Sequence, residues 1–347
     1  MKNVLVIGAG RRVRGAVLPA LWCLPDRFRV AAVLSRTARE LPAGPGRPPL
    51  TTVTSLDSVD VPGLDLIVAA PTIGEVPRLL AQLVERGASR AALLLDTPVL
   101  PPTGLWAASY FSSFARVLAS EDSIALPPFL LARRLIDAGA VGQLQRLFFF
   151  HNGYKHHALA SLKLLTGRSP IRRIVGRKFG GKRRQKQLAF ANGMSATMYE
   201  PRDYATGRFL LQGDRGAIAD YDYAVPPVER IGYVVEQGIY RGLTLNGEPV
   251  PPAGLDQDYL ANIGTDLFDA TPMTTMKIRG LMDLLVAAGE ESSPLHYDPA
   301  EAVADFLAAQ ILDKVSYLPS PHLLEHLLRA GERLPVAAYL RARRRGP

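Results

Sequence analysis

Short, mostly apolar runs at residues 4–7, 28–34, 64–70, 91–95 and 117–119 alternate with stretches of another kind. In the segments at 16–24 and 75–86, apolar residues recur at three- and four-residue intervals. Strands buried on both faces read as continuous apolar runs, and the intervals fit helices lying on those faces. The alternation predicts a doubly wound parallel sheet over residues 1–120. A proline-rich stretch at 41–49 reads as a surface loop. After residue 120 the texture changes. A helical pattern at 127–138 runs into Gly139-Ala140-Val141-Gly142, and short apolar or alternating runs follow at 144–151, 174–179, 187–190, 195–199, 207–212 and 217–223. Turn residues split them, which predicts an open, mostly antiparallel sheet. Helical patterns at 158–165, 274–288 and 299–315 complete an α+β domain over 121–347, whose last helices are able to pack back on the first domain. The fold class is therefore α/β, with a ligand expected in the cleft between the domains.

The sharpest local signal follows the first strand. Gly8-Ala9-Gly10 directly after an apolar run, and before a segment able to start a helix, is a phosphate-binding turn of the Rossmann type. Gly8 permits the tight turn, Gly10 lets a pyrophosphate approach the backbone, and the helix N-terminus favours its charge. The third glycine of the pattern is replaced by Val13, with Gly15 two positions later. The second strand ends in Ser35-Arg36-Thr37, with no carboxylate before Glu40. An acidic residue there would bond the ribose 2′-hydroxyl of NAD, whereas arginine and hydroxyl groups suit the 2′-phosphate of NADP. Arg11 and Arg12 can add to the same field, or stand as solvated surface charges. NADP(H) is the expected cofactor.

Several further segments, in order, resemble the glucose–fructose oxidoreductase / inositol dehydrogenase (Gfo/Idh/MocA) family. Asp65–Pro71 is similar to that family's strand ending beside the nicotinamide ribose, which implies cofactor contacts at Ala70 and Pro71. Leu93-Leu-Leu-Asp96-Thr97-Pro98 stands in the place of its Glu-Lys-Pro motif, and Glu121-Asp122 followed by Pro127 resembles its Glu-Asn…Pro segment. His157, ten residues before Gly167, matches the family's histidine. The departures bear on chemistry. Thr97 replaces the catalytic lysine, Gly153 and Ala160 replace two aspartates, and Lys155 replaces a glycine. A threonine hydroxyl is no general base near neutral pH, so alcohol oxidation by the family's usual route is not expected. It can still donate a hydrogen bond to a carbonyl, an imine or water.

Tyr154, Lys155 and His157, together with Thr97, are the expected catalytic groups. Imidazole titrates near neutrality and suits proton delivery, while Lys155 can bind an anionic substrate or substitute for the missing base. The resemblance implies an NAD(P)-dependent oxidoreductase, and the lost lysine points to an NADPH-dependent reductase of a C=N or conjugated bond. The alternatives are a non-catalytic NADP-sensing protein and a sugar or polyol dehydrogenase using Lys155. Composition changes this picture little. The formal charge of +9 comes without zinc-finger spacing or RNA-binding aromatic motifs, so an anionic small molecule, or one tethered to an acidic carrier protein, is expected rather than nucleic acid. A basic tract from Arg172 to Lys186 reads as a solvated face or a steering surface for such a partner. Cys23 is the single cysteine, which excludes a disulfide framework and a thiolate cluster, and its apolar helix makes it a core residue. His322 and His326, an i,i+4 pair near the C-terminus, read as surface helix residues rather than ligands, and no other His-x-x-x-His or His-carboxylate pattern supports a metal site. No apolar run reaches the roughly 18 residues needed to span a bilayer. Without a signal-peptide pattern the expected location is cytoplasmic, with a homodimer or homotetramer formed through the open sheet.

Overall fold

Strand β1 (Lys2–Ile7) joins β2 (Phe28–Leu34), β3 (Leu66–Ala69), β4 (Ala92–Asp96) and β5 (Arg116–Ser120) in a five-stranded sheet with β3 at its centre. The order is β2-β1-β3-β4-β5 and every pair is parallel. The strand order reverses between β1 and β3, the switch point where ligands bind in open α/β sheets. This computed structural model describes residues 1–42, 48–153, 155–181, 183–203, 207–224, 227–264, 267–290, 296–314 and 317–318. Val4, Leu5, Val6, Leu66, Ile67, Leu93 and Leu94 are fully covered, which is why these strands carry no polar alternation. Helix α1 (Leu18–Trp22) continues a helical segment at Val13–Val17, and α2 (Val76–Glu85) buries Val76, Leu79, Leu80 and Leu83 at helical spacing. The first helix therefore starts earlier than its apolar pattern suggests, because its polar first turn carries no hydrophobic signal.

Short α3 (Asp122–Ala125) and longer α4 (Pro127–Asp137) lead into a second, ten-stranded sheet. Its central strands are β6 (Leu144–Phe150), β9 (Ser195–Glu200) and β10 (Arg208–Gly213), flanked on one side by β7 (Ile171–Lys178) and β8 (Arg184–Phe190). On the other side lie β11 (Ala217–Ala219), β12 (Val228–Glu236), β13 (Ile239–Leu245) and β14 (Glu248–Pro249), and β15 (Tyr317–Leu318) closes the β7 edge. Pairs β6·β9 and β11·β12 are parallel and the rest antiparallel. One face of the sheet is a core: Phe149 stacks on Phe129 of α4 at 5.5 Å, and Phe209 packs on the same ring at 5.4 Å. The opposite face carries Phe148, Phe150, Tyr199, Tyr221 and Tyr223 in a chain of ring contacts.

The β12–β13 hairpin has no counterpart in the apolar pattern. Its first strand buries only Ile231 and carries Glu229, Arg230 and Glu236, so polar residues mask the period, and its turn, Gln237-Gly238, places both residues at positive φ. The run at 217–223 is a strand only to Ala219. After α5 (Lys155–Leu165) and α6 (Leu255–Asn262), helix α7 (Pro272–Gly289) returns to the parallel sheet, where Arg116 donates to the carbonyls of Ala287 and Glu290 at 2.6 and 2.8 Å. Helix α8 (Pro299–Lys314) packs against α5. Cys23 is buried in the core, and burial first of all, with Asp258 nearby, pushes its thiol up to about 12, so it is not a nucleophile.

Candidate active site

A groove of about 760 Å³ runs across the C-terminal ends of β1, β2 and β3 and is lined by Gly8, Gly10, Ser35, Arg36, Thr37, Ala70 and Pro71. Its size is that of a small-molecule site. Gly8 has φ +109°, and a Cβ there would stand 2.8 Å from the Ala70 carbonyl oxygen, so no other residue makes this turn without strain. A Cβ on Gly10 would meet nothing within 4 Å, which leaves its backbone open to an approaching ligand. The first helical hydrogen bond runs from Arg14 N–H to the Gly10 carbonyl, and the amides before it have no place in the helix ladder. Where Val13 replaces a glycine, the turn widens: Leu18 N–H reaches back to Val13. These features fit a dinucleotide pyrophosphate.

The adenosine end is cationic beyond the sequence reading. Arg39, Arg78 and Arg86 join Arg36 along the groove. So does Glu75, whose carboxylate stands 3.6 Å from Arg36. Glu75 follows the third strand, and only the crossover connection brings it to the end of the second. Ser35 is buried, donates to the Thr37 carbonyl at 2.8 Å, and shapes the loop.

Arg11, Arg12 and Asp96 do not line this groove. Arg11 pairs with Asp269 on the surface. Arg12 turns along the sheet edge to Asp96 (Nε–Oδ1 3.1 Å), Asp122 (2.5 and 2.7 Å) and Ser120 Oγ (3.2 Å). Lys277 of α7 stands 3.7 Å from Asp122. Arg12 thus ties the glycine turn to the ends of β4 and β5. Burial pushes the Asp96 carboxyl up to about 6, helped by Asp122 and Glu121 and opposed by Arg12.

Beside Asp96, Thr97 Oγ1 donates to Glu121 Oε2 at 3.1 Å. Both carboxylate oxygens of Glu121 lie 2.9 Å from His157 Nδ1. Since the carboxylate only accepts, Nδ1–H donates and Nε2 is the ring nitrogen not committed to it. Glu121 is fully buried and also accepts from Ser123 N–H. Burial works to raise its carboxyl, but the His157 charge and hydrogen bond outweigh it, with His156 and Ser123 adding, and hold it well below the usual carboxylate range. The Thr97 proton is therefore directed at Glu121, where the sequence reading expects it to reach a substrate. Lys155 anchors its N–H on Glu200 Oε1 at 3.3 Å, and Glu200 also pairs with buried Lys186 at 2.9 Å, so the basic tract is not wholly solvated. Tyr154, His322 and His326 lie outside the described residues.

Glu121, Asp122 and Glu75 are the residues that sequence reading leaves out as site groups. A signal exists for the first two, since they end β5 as Asp96-Thr97 ends β4, and such strand ends face the ligand crevice. The 36-residue separation of Glu121 from His157 hides the His–carboxylate pair from any local spacing rule.

No protein-family model and no curated protein matches the chain. Solved structures do. An oxidoreductase from Thermotoga maritima is 15% identical, with a TM-score of 0.60 over 93% of this chain and 99% of that one. A levoglucosan dehydrogenase in complex with NADH and levoglucosan is 13% identical, with a TM-score of 0.62 over 91% and 96%. An oxidoreductase from Agrobacterium radiobacter in complex with NAD+, L-tartaric acid and magnesium is 12% identical, with a TM-score of 0.56 over 91% and 96%. The chain therefore has the fold of these oxidoreductases, a Rossmann-like parallel sheet followed by a mixed-sheet domain.

Proposed function

We propose that this chain is a nicotinamide-dinucleotide-dependent reductase that prefers NADPH and reduces a C=N or conjugated bond. The observation that carries the reading is the Thr97–Glu121–His157 chain, anchored at the ends of β4 and β5 beside the Arg12 link to the glycine turn. NADPH, when bound, supplies the hydride. Gly8 and Gly10 hold the pyrophosphate against the helix N-terminus, Ala70 and Pro71 border the ribose, and Ser35, Arg36, Thr37 and Arg39 bind the 2′-phosphate. Two structural neighbours hold NADH and NAD+, which supports a nicotinamide cofactor; the preference for the phosphorylated form rests on this chain's own arginines. Glu121 accepts from Nδ1–H and keeps His157 oriented, so Nε2–H gives a proton to the substrate nitrogen or oxygen as carbon accepts the hydride. His157 regains its proton from solvent. No lysine is needed at position 97, because this direction calls for an acid rather than a base.

An anionic substrate, or one carried on an acidic protein, suits exposed Arg172, Arg173, Arg177 and Arg183. A second copy of the chain suits the aromatic face of the ten-stranded sheet. Single-turnover reaction with 4-deuterated NADPH and a panel of cyclic imines, enones and ketones tests the function. Deuterium should appear at the reduced carbon, and its transfer should slow sharply in His157→Ala. Absence of transfer to every class, despite tight NADPH binding, would leave the NADP-sensing alternative in its place.

A further inference from the structure

Helix α5 opens with two consecutive histidines, and only His157 has a hydrogen-bonded partner on its ring. His156 is 8% exposed, and neither Nδ1 nor Nε2 finds a hydrogen-bond partner among the described residues. A neutral imidazole always carries one N–H and one lone pair. Leaving both unsatisfied in the interior is costly, so such a group calls for an explanation. Its ring lies 4.0 Å from that of His157 and packs edge-on against Phe306 at 5.6 Å. One donor atom from each of Glu121, His156 and His157 falls within 4.8 Å of the others.

We propose that Glu121, His156 and His157 form a binding site for one divalent transition-metal ion of the zinc type. The ion would take the place of the proton shared between His157 and Glu121, so the ion-bound state and the proton-transfer state exclude each other, and ion binding needs neither cofactor nor substrate. Two imidazoles and one carboxylate are a three-ligand set for Zn²⁺, with a fourth position for water or a ligand. Calcium and magnesium take oxygen-rich shells, so the two nitrogens select against them. On a tetrahedral ion with metal–nitrogen bonds of about 2.0–2.1 Å, donor atoms stand roughly 3.3 Å apart, so the Glu121–His157 pair at 2.9 Å opens slightly while wider pairs within the 4.8 Å cluster close, which small side-chain rotations supply. The surroundings favour a cation: Glu121, Asp96 and Asp122 put three carboxylates at the ends of β4 and β5, against Arg12 and Lys277. With the ion seated among the three side chains, one His156 nitrogen gains the partner that no described residue gives it.

The test is a calorimetric titration of the tag-free, chelator-stripped full chain with ZnCl₂, without dinucleotide. One ion should bind per chain. His156→Phe keeps an aromatic ring against Phe306 while removing both donors, and should weaken binding by at least about 100-fold. Co²⁺ in the wild type should give the intense d–d absorption of a four-coordinate site, which the variant lacks. Circular dichroism and thermal melting report whether the variant is folded; if it is not, Glu121→Gln is read instead and should show the same loss. No Zn²⁺ binding by the wild type, or undiminished binding by a folded variant, overturns the proposal. Neither result touches NADPH binding or hydride transfer, so the two readings fail separately.

Discussion

The glycine-turn groove and the Glu121 cluster share one sheet edge but are built on opposite electrostatics. In the groove, charge is exposed: Arg36 is 83% exposed and its partner Glu75 stands 3.6 Å away. In the cluster, Glu121 is fully covered and held by Thr97 and His157 within 3.1 Å. Exposed charges are screened and individually weak, and they act by choosing a ligand. Buried charges are strongly coupled, and they act by fixing which proton sits where. On the proposed function the groove selects the dinucleotide and the cluster handles the proton, and Arg12 joins the two.

The largest expected effect follows from breaking the cluster at its centre. His157→Ala should lower kcat by about 10²–10⁴ while dinucleotide affinity stays unchanged, measured by steady-state kinetics alongside a binding titration. Loss of affinity with kcat intact would move the residue from chemistry to selection.

Next is the pH dependence of stability at Asp96. Burial raises this carboxyl to about 6, above its ordinary value of 3.8, so between these limits the folded protein keeps a proton that the unfolded chain has released. The sign makes stability fall as pH rises from about 4 to about 6, by a total on the order of 2–3 kcal/mol. Asp96→Asn should remove that slope in denaturant titrations across this range. An unchanged slope would show that the buried network does not couple to this carboxyl.

Two smaller effects sharpen the contrast. Thr97→Val removes one hydrogen bond to Glu121, worth about 1 kcal/mol, and should slow turnover about fivefold without moving the dinucleotide affinity. Turnover at the wild-type rate would mean that Glu121 needs no second donor. In the groove, Glu75→Gln frees Arg36 from an exposed pair and should tighten NADPH by about two- to fivefold, with NADH barely affected. An equal gain for both cofactors would separate Arg36 from the 2′-phosphate.

The two regions also differ in how legible they are in the sequence. The groove is written locally. Gly8 and Gly10 follow an apolar run, Ser35-Arg36-Thr37 ends the next strand, and Ala70-Pro71 ends the third, so strand ends alone bring them together. The cluster is written across the fold. Glu121 meets His157 only because α5 of the second domain returns to the end of β5, and Arg12 meets Asp122 across 110 residues. Arg11 and Arg12 look alike in sequence, yet one faces solvent and Asp269 while the other enters the cluster. Helical direction at the first turn decides this, and no composition or spacing rule encodes it. The parallel sheet was legible for the same local reason as the groove, whereas the exposed β12–β13 hairpin was not.

The most direct test of the central claim is calorimetric titration of the wild-type chain with NADPH and NADH, repeated for Arg36→Glu. The groove as described predicts one site per chain, NADPH at least about tenfold tighter than NADH, and loss of that margin in the variant. No binding of either dinucleotide, or equal affinity for both in the wild type, would contradict it.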